Sequence, residues 1–585
     1  MPVENKDYFI YNNNGTFYLS SLNNCKVPTA SDGASWNAKR SIFSGNLTPL
    51  DNSGASGKVY LPAEKTIYRG FMYNAYSASN DVNNKVFGYN DDRIDNWEGV
   101  KGMWAKGFFM FQWADNSLPI ASIDKTKRVI NLEWPASYGI GNQTYFFVYN
   151  LIEELDEEGE YYIDRDERKV YAIFHKTPKE IWITHSTSVV LNIDHVNNIK
   201  IENLDFKYNP DNFITIIGDQ ITIKECSFYH TGKAGALITG NMSNFVQNKV
   251  VDVGTKGVVM TCGDRVNLLN GSCSVSQNYF SEFSQNHYTY TPAIILEGVG
   301  NIATHNFIEN SPCQAITFSG NEHEISYNKI QNVCFFMNDA GAIYSGRRWD
   351  WRGNVIKYNY ISNVIGWDNS SCVQGIYLDD MLSGETVFGN VMKTIRGIGV
   401  QHGGGRDNNI TNNIMYDCDF AYSGDSRGST WMYSTLPYAE GNLLERCNLE
   451  GVNRLEEPWK SKYPELYEIP NSNDQIVNEK HWLYPENCVV DCNVPYQSKK
   501  WDYYVDASVT SNYKVYNKNK YNSSVDPLFV DADNGDLRLK DDSPVLNMEC
   551  WKQIPFEEIG IQIIPKSATK IIQIIEIFLL ALLVI

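Results

Sequence analysis

Ala342-Ile343-Tyr344-Ser345-Gly346-Arg347-Arg348 is followed one repeat later by Gly375-Ile376-Tyr377-Leu378-Asp379-Asp380. Both read as one strand pattern, a small residue, a branched apolar residue and a tyrosine, with different chemistry at the end. The same pair of small and apolar residues opens Ala293-Ile294-Ile-Leu-Glu297, Ala315-Ile316-Thr-Phe-Ser319 and Gly397-Ile398-Gly-Val-Gln401. Strand side chains alternate between faces. Aligned on the pair, Ile294, Ile316, Ile343, Ile376 and Ile398 therefore point inward. The outward columns become Ile295, Thr317, Tyr344, Tyr377, Gly399 and Glu297, Ser319, Gly346, Asp379, Gln401.

Working outward, a second marker recurs: apolar-polar alternation that ends in Asn or Cys and resumes with an apolar residue. It appears around Asn203, Cys226, Asn278, Asn306, Asn328, Asn359, Asn390 and Asn413, and the steps from Asn306 onward are 22 to 31 residues. That is the length of one coil of a parallel β-helix. Inward side chains then stack on their counterparts about 4.8 Å away in the next coil, and Asn at a bend can form an amide ladder. Leucine-rich repeats share the length but need a leucine consensus and a helix per repeat, and neither is present. The fold class expected is all-β, a right-handed parallel β-helix (solenoid) with an N-terminal β-rich domain packed on it.

The N-terminal region, 1–185, carries aromatic runs such as Trp104 to Trp113 and Tyr145 to Tyr149 with partial alternation, and a short helix is expected near Asn150 to Leu155. The strands around Tyr161 and Val170 flank a charged turn. The β-helix should occupy 186–565, interrupted by a loop-rich insert at about 450–485 and closed by a coil from Asp526 to Leu539. The tail, 566–585, is apolar except for a few residues but short of the roughly 20 needed to span a bilayer. It reads as a helical plug, a marginal membrane tail or a gene-model tail, and is the one expected membrane contact.

Fifty Lys and Arg against 69 Asp and Glu give a net charge of −19, which repels a phosphate backbone and argues against nucleic acid. Aromatic residues make up 13% of the chain, including 14 Trp and 37 Tyr, rings that suit sugar faces as well as cores. Cys226, Cys313, Cys334, Cys372 and Cys418 fall near the repeat spacing and read as small core residues, with some disulfides as the alternative. Cys488 and Cys492 lack the partners of a zinc site. The opening Met1 to Phe9 is polar, without the apolar segment of a secretory signal.

The chemistry gathers around the first two segments: Asp339, Tyr344, Arg347, Trp349, Tyr377, Asp379, Asp380, Gln401, His402 and Arg406, with Glu297 in the outward column. Paired carboxyls serve glycoside hydrolysis, one as acid and one as base or nucleophile, and His402 could tune or relay protons. Adjacent in a strand, Asp379 and Asp380 point to opposite faces, so a bend at Leu382 to Gly384 is needed to unite them. Asp339 stands before its strand while Asp379 and Asp380 stand after theirs, and seven extended residues span about 23 Å. A sharp turn at Ala340-Gly341, which glycine permits, would make Asp339 and Asp380 partners. Otherwise Glu297, Asp379 or His402 supplies the second role. Each residue also has a structural reading. Asp339 can cap a turn, Asp379 and Asp380 can be solvated, His402 can be packed, and Arg347 and Arg406 can pair with acids. Tyr344, Tyr377 and Trp349 can simply cover the coil.

Several runs carry a family likeness: Trp113-Ala-Asp-Asn-Ser-Leu-Pro-Ile-Ala-Ser-Ile-Asp124, Asn150 to Asp164, Asp339-Ala-Gly-Ala-Ile-Tyr344, Gln374-Gly-Ile-Tyr-Leu-Asp-Asp380 and Gly403-Gly-Gly-Arg-Asp407. They resemble the β-helix proteins of glycoside hydrolase family 141 over most of residues 100 to 565. The resemblance implies a hydrolase of plant or other complex polysaccharide, fucosidase- or xylanase-like, with its acid pair on Asp339 and Asp380. It also implies an oligo- or polysaccharide substrate, no cofactor, and a secreted or cell-surface location; a monomer is expected. Asp-Asp followed by Gln-His-Gly-Gly-Gly-Arg is also similar to polygalacturonase-like hydrolases, whose Asn-Thr-Asp motif has no counterpart here. The alternatives are a polysaccharide lyase, for which calcium would be expected, and a noncatalytic glycan-binding β-helix.

Overall fold

Alternating segments become strands where every second side chain finds an apolar interior, and a computed structural model shows those interiors. It describes residues 83–563 except 143, 156–159, 167–168, 175–183, 185, 368–371, 433–441 and 503–506. Before residue 83 it describes only the backbone of the strands Tyr8–Asn13, Thr16–Ser21, Ser35–Asn37, Ile42–Asn46 and Met72–Ser77. The strands expected around the charged turn are Tyr161–Asp164 and Lys169–Ile173, paired antiparallel; residues 167–168 of that turn and the tail, 566–585, lie outside the described residues. Two units result: 1–188 with 208–211 and 285–288, and the rest of the chain.

In the first unit a closed six-stranded barrel runs from Met72–Ser77 to Tyr145–Tyr149. The aromatic runs are its walls: Trp104–Phe108 pairs antiparallel with Tyr145–Tyr149, and Phe87, Trp97, Phe109 and Phe146 fill the inside. Between Asn150 and Leu155 there is only a 3₁₀ turn, Ile152–Glu154.

From Val189 the chain is a parallel β-helix with three strands to the turn. Strand β1 (Ile294–Val299) is followed by Ile302–Thr304 and Phe307–Ser311. The next turn repeats the plan with β2 (Ile316–Asn321), Glu324–Ser326 and Lys329–Val333. Registers are parallel, Ile294 beside Ile316, Ile302 beside Glu324, Phe307 beside Lys329. Stacked turns make one 19-stranded and one 11-stranded sheet. The turns carrying the site contribute β3 (Ala340–Gly346), β4 (Val373–Asp379), β5 (Val391–His402) and β6 (Ile414–Gly424).

Ile294, Ile316, Ile343 and Ile376 are fully buried in one column. At a corner Asn278, Asn306, Asn328, Asn359, Asn390 and Asn413 form an unbroken ladder, each side-chain amide donating to the next carbonyl oxygen at 2.9 to 3.1 Å. Asn203 does not belong to it. It occupies the preceding corner position, whose left-handed backbone recurs at Glu225, Gln247 and Gln277, and the ladder position in its turn is Leu204. Asn suits both positions, which is why the two are confused in the sequence.

A second correction concerns β5. Its register against β4 is Ile376 beside Val400, Tyr377 beside Gln401 and Leu378 beside His402, two residues from the alignment on Gly397-Ile398. The inward partner of Ile376 is Val400, and the small residue before it is Gly399. Against β6 the register shifts by one residue between Ile395 and Ile398, a bulge of the kind found beside sites.

The insert carries short helices between its loops. Short helices Leu443–Arg446, Trp459–Lys462, Pro464–Tyr467 and Asn473–Glu479 surround a core of their own with Trp349 and Met381. The segment expected to close the solenoid is an antiparallel hairpin, Phe529–Asp531 with Asp536–Leu539. Cys226, Cys313, Cys334 and Cys418 are buried, Cys372 is exposed, and disulfides join Cys262 to Cys273 and Cys492 to Cys550. Among the described residues no helix is long and apolar enough to cross a membrane.

Candidate functional site

Outward side chains of β1 to β5 form a shallow half-buried face: Ile295, Thr317, Tyr344 and Gln401, with Tyr377 more deeply set. Glu297, in the adjoining column, accepts from the Thr261 hydroxyl at 2.7 Å. Where β4 ends, Asp380 and Met381 have φ of 38° and 66°. This left-handed pair, unusual for such side chains, bends the chain earlier than Leu382 and brings both acids to one side. Their common partner is Arg427. Its Nη1 donates to Asp380 Oδ1 at 2.9 Å and also to Asp379 Oδ1, while Nε and Nη2 hold Asp425. Arg347 grips Asp380 Oδ2 from the other side, with Nε at 2.9 Å.

Asp339 joins this cluster through a tyrosine. The Tyr377 hydroxyl donates to Asp339 Oδ1 at 3.1 Å and lies 3.5 Å from Arg427 Nη1. Laid end to end, the contacts from Asp339 through Tyr377 and Arg427 to Asp380 put an upper limit of about 10 Å on the separation of the two carboxyls, the outer limit for glycosidase pairs. The chain bends at Asn338 and Asp339, the latter with φ of 53°, rather than at Ala340-Gly341; Gly341 lies in the strand, where an added Cβ would lie 2.6 Å from Tyr377 Cβ and 2.8 Å from the Ile343 carbonyl oxygen. A mirror contact runs the other way along the face, the Tyr344 hydroxyl donating to Asp379 Oδ2 at 3.0 Å.

Burial and then the neighbouring Asp380 push Asp379 up to about 6, against the pull of Arg427. Asp339 is exposed on its outer side. Partial desolvation of its inner side and the charge of Asp380 raise it as well, opposed by the Tyr377 hydrogen bond and Arg427. Burial, with Asp379 alongside, holds the Tyr344 and Tyr377 hydroxyls well above their ordinary value, so both remain donors. The face can therefore keep a proton on a carboxyl near neutrality beside other carboxyls tied to guanidiniums.

Three sequence candidates lie elsewhere. His402 is fully buried in the coil interior beside Leu378; its Nε2 donates to the Gly405 carbonyl oxygen at 2.7 Å, and Nδ1 accepts from Tyr422 or Tyr513. Desolvation lowers it to about 4, so it is a neutral packing residue. Period two sets it on the inward face with Ile398 and Val400, and a register shift of two residues leaves that face unchanged. Trp349 is buried in the core of the insert. Arg406 donates to the His481 carbonyl oxygen, pairs with Glu486 and covers the Trp482 ring, fastening the insert.

Sequence reasoning missed Arg427 and Asp425. They follow β6 in Ser423-Gly-Asp-Ser-Arg427, one turn beyond the last aligned strand, and Gln401 pairs with Ser423. Carrying the alignment one coil further would have found them. Gly403 was a second signal, since a Cβ there would come 2.8 Å from Arg427 Cζ. Asp379, Asp380 and Asp425 are bound to arginine, and among the described residues no group of three His, Cys, Asp or Glu is placed to hold a metal ion.

No protein-family profile matches the chain, and no curated protein matches it. Solved structures do. One described as a glycoside hydrolase is 16% identical, with 66% of this chain and 81% of that one covered and a TM-score of 0.50. A complex of XylC with xylose covers 84% of this chain and 73% of its own at 10% identity and a TM-score of 0.28. A family PL6 polysaccharide lyase from Pseudopedobacter saltans covers 64% and 96% at 11% identity and a TM-score of 0.23. The first shares the β-helix fold; the other two superpose too loosely to add to it.

Proposed function

We propose that this chain is a carbohydrate-active enzyme that hydrolyses glycosidic bonds in a complex polysaccharide, with Asp339 and Asp380 as its acid pair. The observation that carries the reading is the convergence of Asp339, Asp379 and Asp380 on Arg427 and Tyr377 at an open face of the β-helix. Asp339 is the one of the three that is exposed, and its Oδ2 has no protein partner among the described residues. It donates a proton to the glycosidic oxygen as the bond to the anomeric carbon breaks. Water adds to that carbon, and Asp380 takes the proton the water gives up, so one bond yields one reducing end and one hydroxyl. Asp379, Arg427 and Tyr377 set the charge and geometry around the pair. The family 141 resemblance supports a fucosidase- or xylanase-like specificity.

A lyase needs a base near a uronate and a cation to offset its carboxylate. Here Arg427 is committed to protein carboxylates and the half-exposed Arg347 to Asp380. The test is release of reducing ends from a panel of plant and host polysaccharides. Asp339→Asn and Asp380→Asn should each lower the rate by about 10²- to 10⁴-fold with the fold retained. Full activity in both sinks the assignment. Products absorbing in the ultraviolet would mean elimination, and binding without release would mean a glycan-binding protein.

A further inference from the structure

The register of β5 on β4 sets Gln401 beside Tyr377, the residue whose hydroxyl holds Asp339. Gln401 is half-buried, and its amide is fixed at one end, because Gln374 Nε2 donates to Gln401 Oε1 at 2.7 Å. That leaves the Gln401 Nε2 as a donor in the outward column of Tyr344 and Tyr377. Gln374 is only 3% exposed, yet its Oε1 has no hydrogen-bond partner. A buried orphan acceptor costs about 1–3 kcal/mol, so a Gln chosen for packing alone would be a poor choice there. Its one visible use is to orient the second amide.

We propose that Gln401 is a specificity-determining contact, donating from Nε2 to a hydroxyl oxygen of the neutral sugar lying over Tyr377, and that Gln374 is its positioning residue. The inference deepens the hydrolytic reading and rests on it. An amide suits a sugar hydroxyl because it offers a directed neutral donor, whereas a cation here would be drawn to Asp339 and Asp379 instead. The register supports the same conclusion. Without the two-residue slip Gln401 would stand beside Asp379, and glycine would stand beside Tyr377.

The test uses the full chain with Gln401→Met and Gln374→Met, close in volume and lacking the amide. Kinetics are measured on the polysaccharide that the wild-type protein hydrolyses, thermal melting without substrate, and xylotetraose binding by calorimetry. Both variants should raise KM about five- to tenfold with kcat changed less, the loss of one neutral hydrogen bond. Gln374→Met should melt no lower than the wild type, since it removes an orphan. Unchanged KM in both variants overturns the proposal, and so does a lower melting point for Gln374→Met, which would make Gln374 structural. If nothing in the panel is hydrolysed, the hydrolytic reading fails by itself. Xylotetraose binding then decides: weaker binding to Gln401→Met keeps the contact, while equal or absent binding removes it.

Discussion

Arg427 is the residue on which the acid cluster depends. Its side chain is 8% exposed and faces Asp379, Asp380 and Asp425 at once, so deleting it strands buried carboxylates. Arg427→Met should destabilise the protein by about 3–5 kcal/mol at pH 8. The sign of the pH dependence follows from the same contacts. Arg427 lowers Asp339 and Asp379, so its loss raises both in the folded state. A raised carboxyl stabilises below its unfolded value, and that stability is lost as pH rises through the folded value. The deficit should therefore be smaller at pH 5 than at pH 8 by thermal melting. If Asp339 is the proton donor, the alkaline limb of the rate profile should also move upward by about one unit. A deficit independent of pH would mean that Arg427 only fills space.

At the scale of elements, the interior ladders show what alternation alone can and cannot tell. Besides the asparagine ladder, a second corner column runs through Asn301, His323, Asn354, Glu385 and Asn408, each linked to the next by a hydrogen bond of 2.8 to 3.1 Å. Glu385 is the misfit. It is buried, it accepts from Asn354, its Oε2 is unpartnered, and burial raises its carboxyl well above the usual range despite nearby Arg352. The rule for raised acids puts its contribution below pH about 4.5, with loss as pH rises. Glu385→Gln keeps the shape without the ionisation, so it should stabilise by about 1–3 kcal/mol at pH 8 and by nothing at pH 4 in denaturant titrations. The strand pattern around Ile343 and Ile376 was legible because burial enforces period two over many stacked turns. The register of β5 was not, because Gly397-Ile398 and Gly399-Val400 satisfy the same pattern and only the pairing with β4 tells them apart. The site followed the same divide. Tyr344, Tyr377 and Asp379 sit in their expected columns, whereas Arg427 reaches the face from the residues after β6, one coil beyond the last strand aligned.

Across the whole molecule, acid should act on the two units at different pH. The β-helix interior holds His323 and His402, both buried and both lowered to about 4 by desolvation. A histidine depressed in the folded state stabilises above its unfolded value, near 6.5, and that stability is lost as pH falls toward the folded value. Each then costs on the order of 3 kcal/mol by pH 4. The first unit has a different weak point. Burial alone would raise Asp115, but the His287 contact together with Lys106 lowers it to about 2. Its contribution survives until the pH drops below the ordinary carboxylate value, near 3.8. Between pH 6.5 and 4 the β-helix should weaken while the barrel holds, so calorimetry at pH 7 and pH 4.5 should show the unfolding transitions separating as the pH falls. His402→Gln, which cannot be protonated, should flatten that acid slope for the transition assigned to the β-helix. A slope unchanged by His402→Gln and by His323→Gln together would show that the acid sensitivity arises elsewhere, with the surface carboxylates of this strongly anionic chain the next groups to examine.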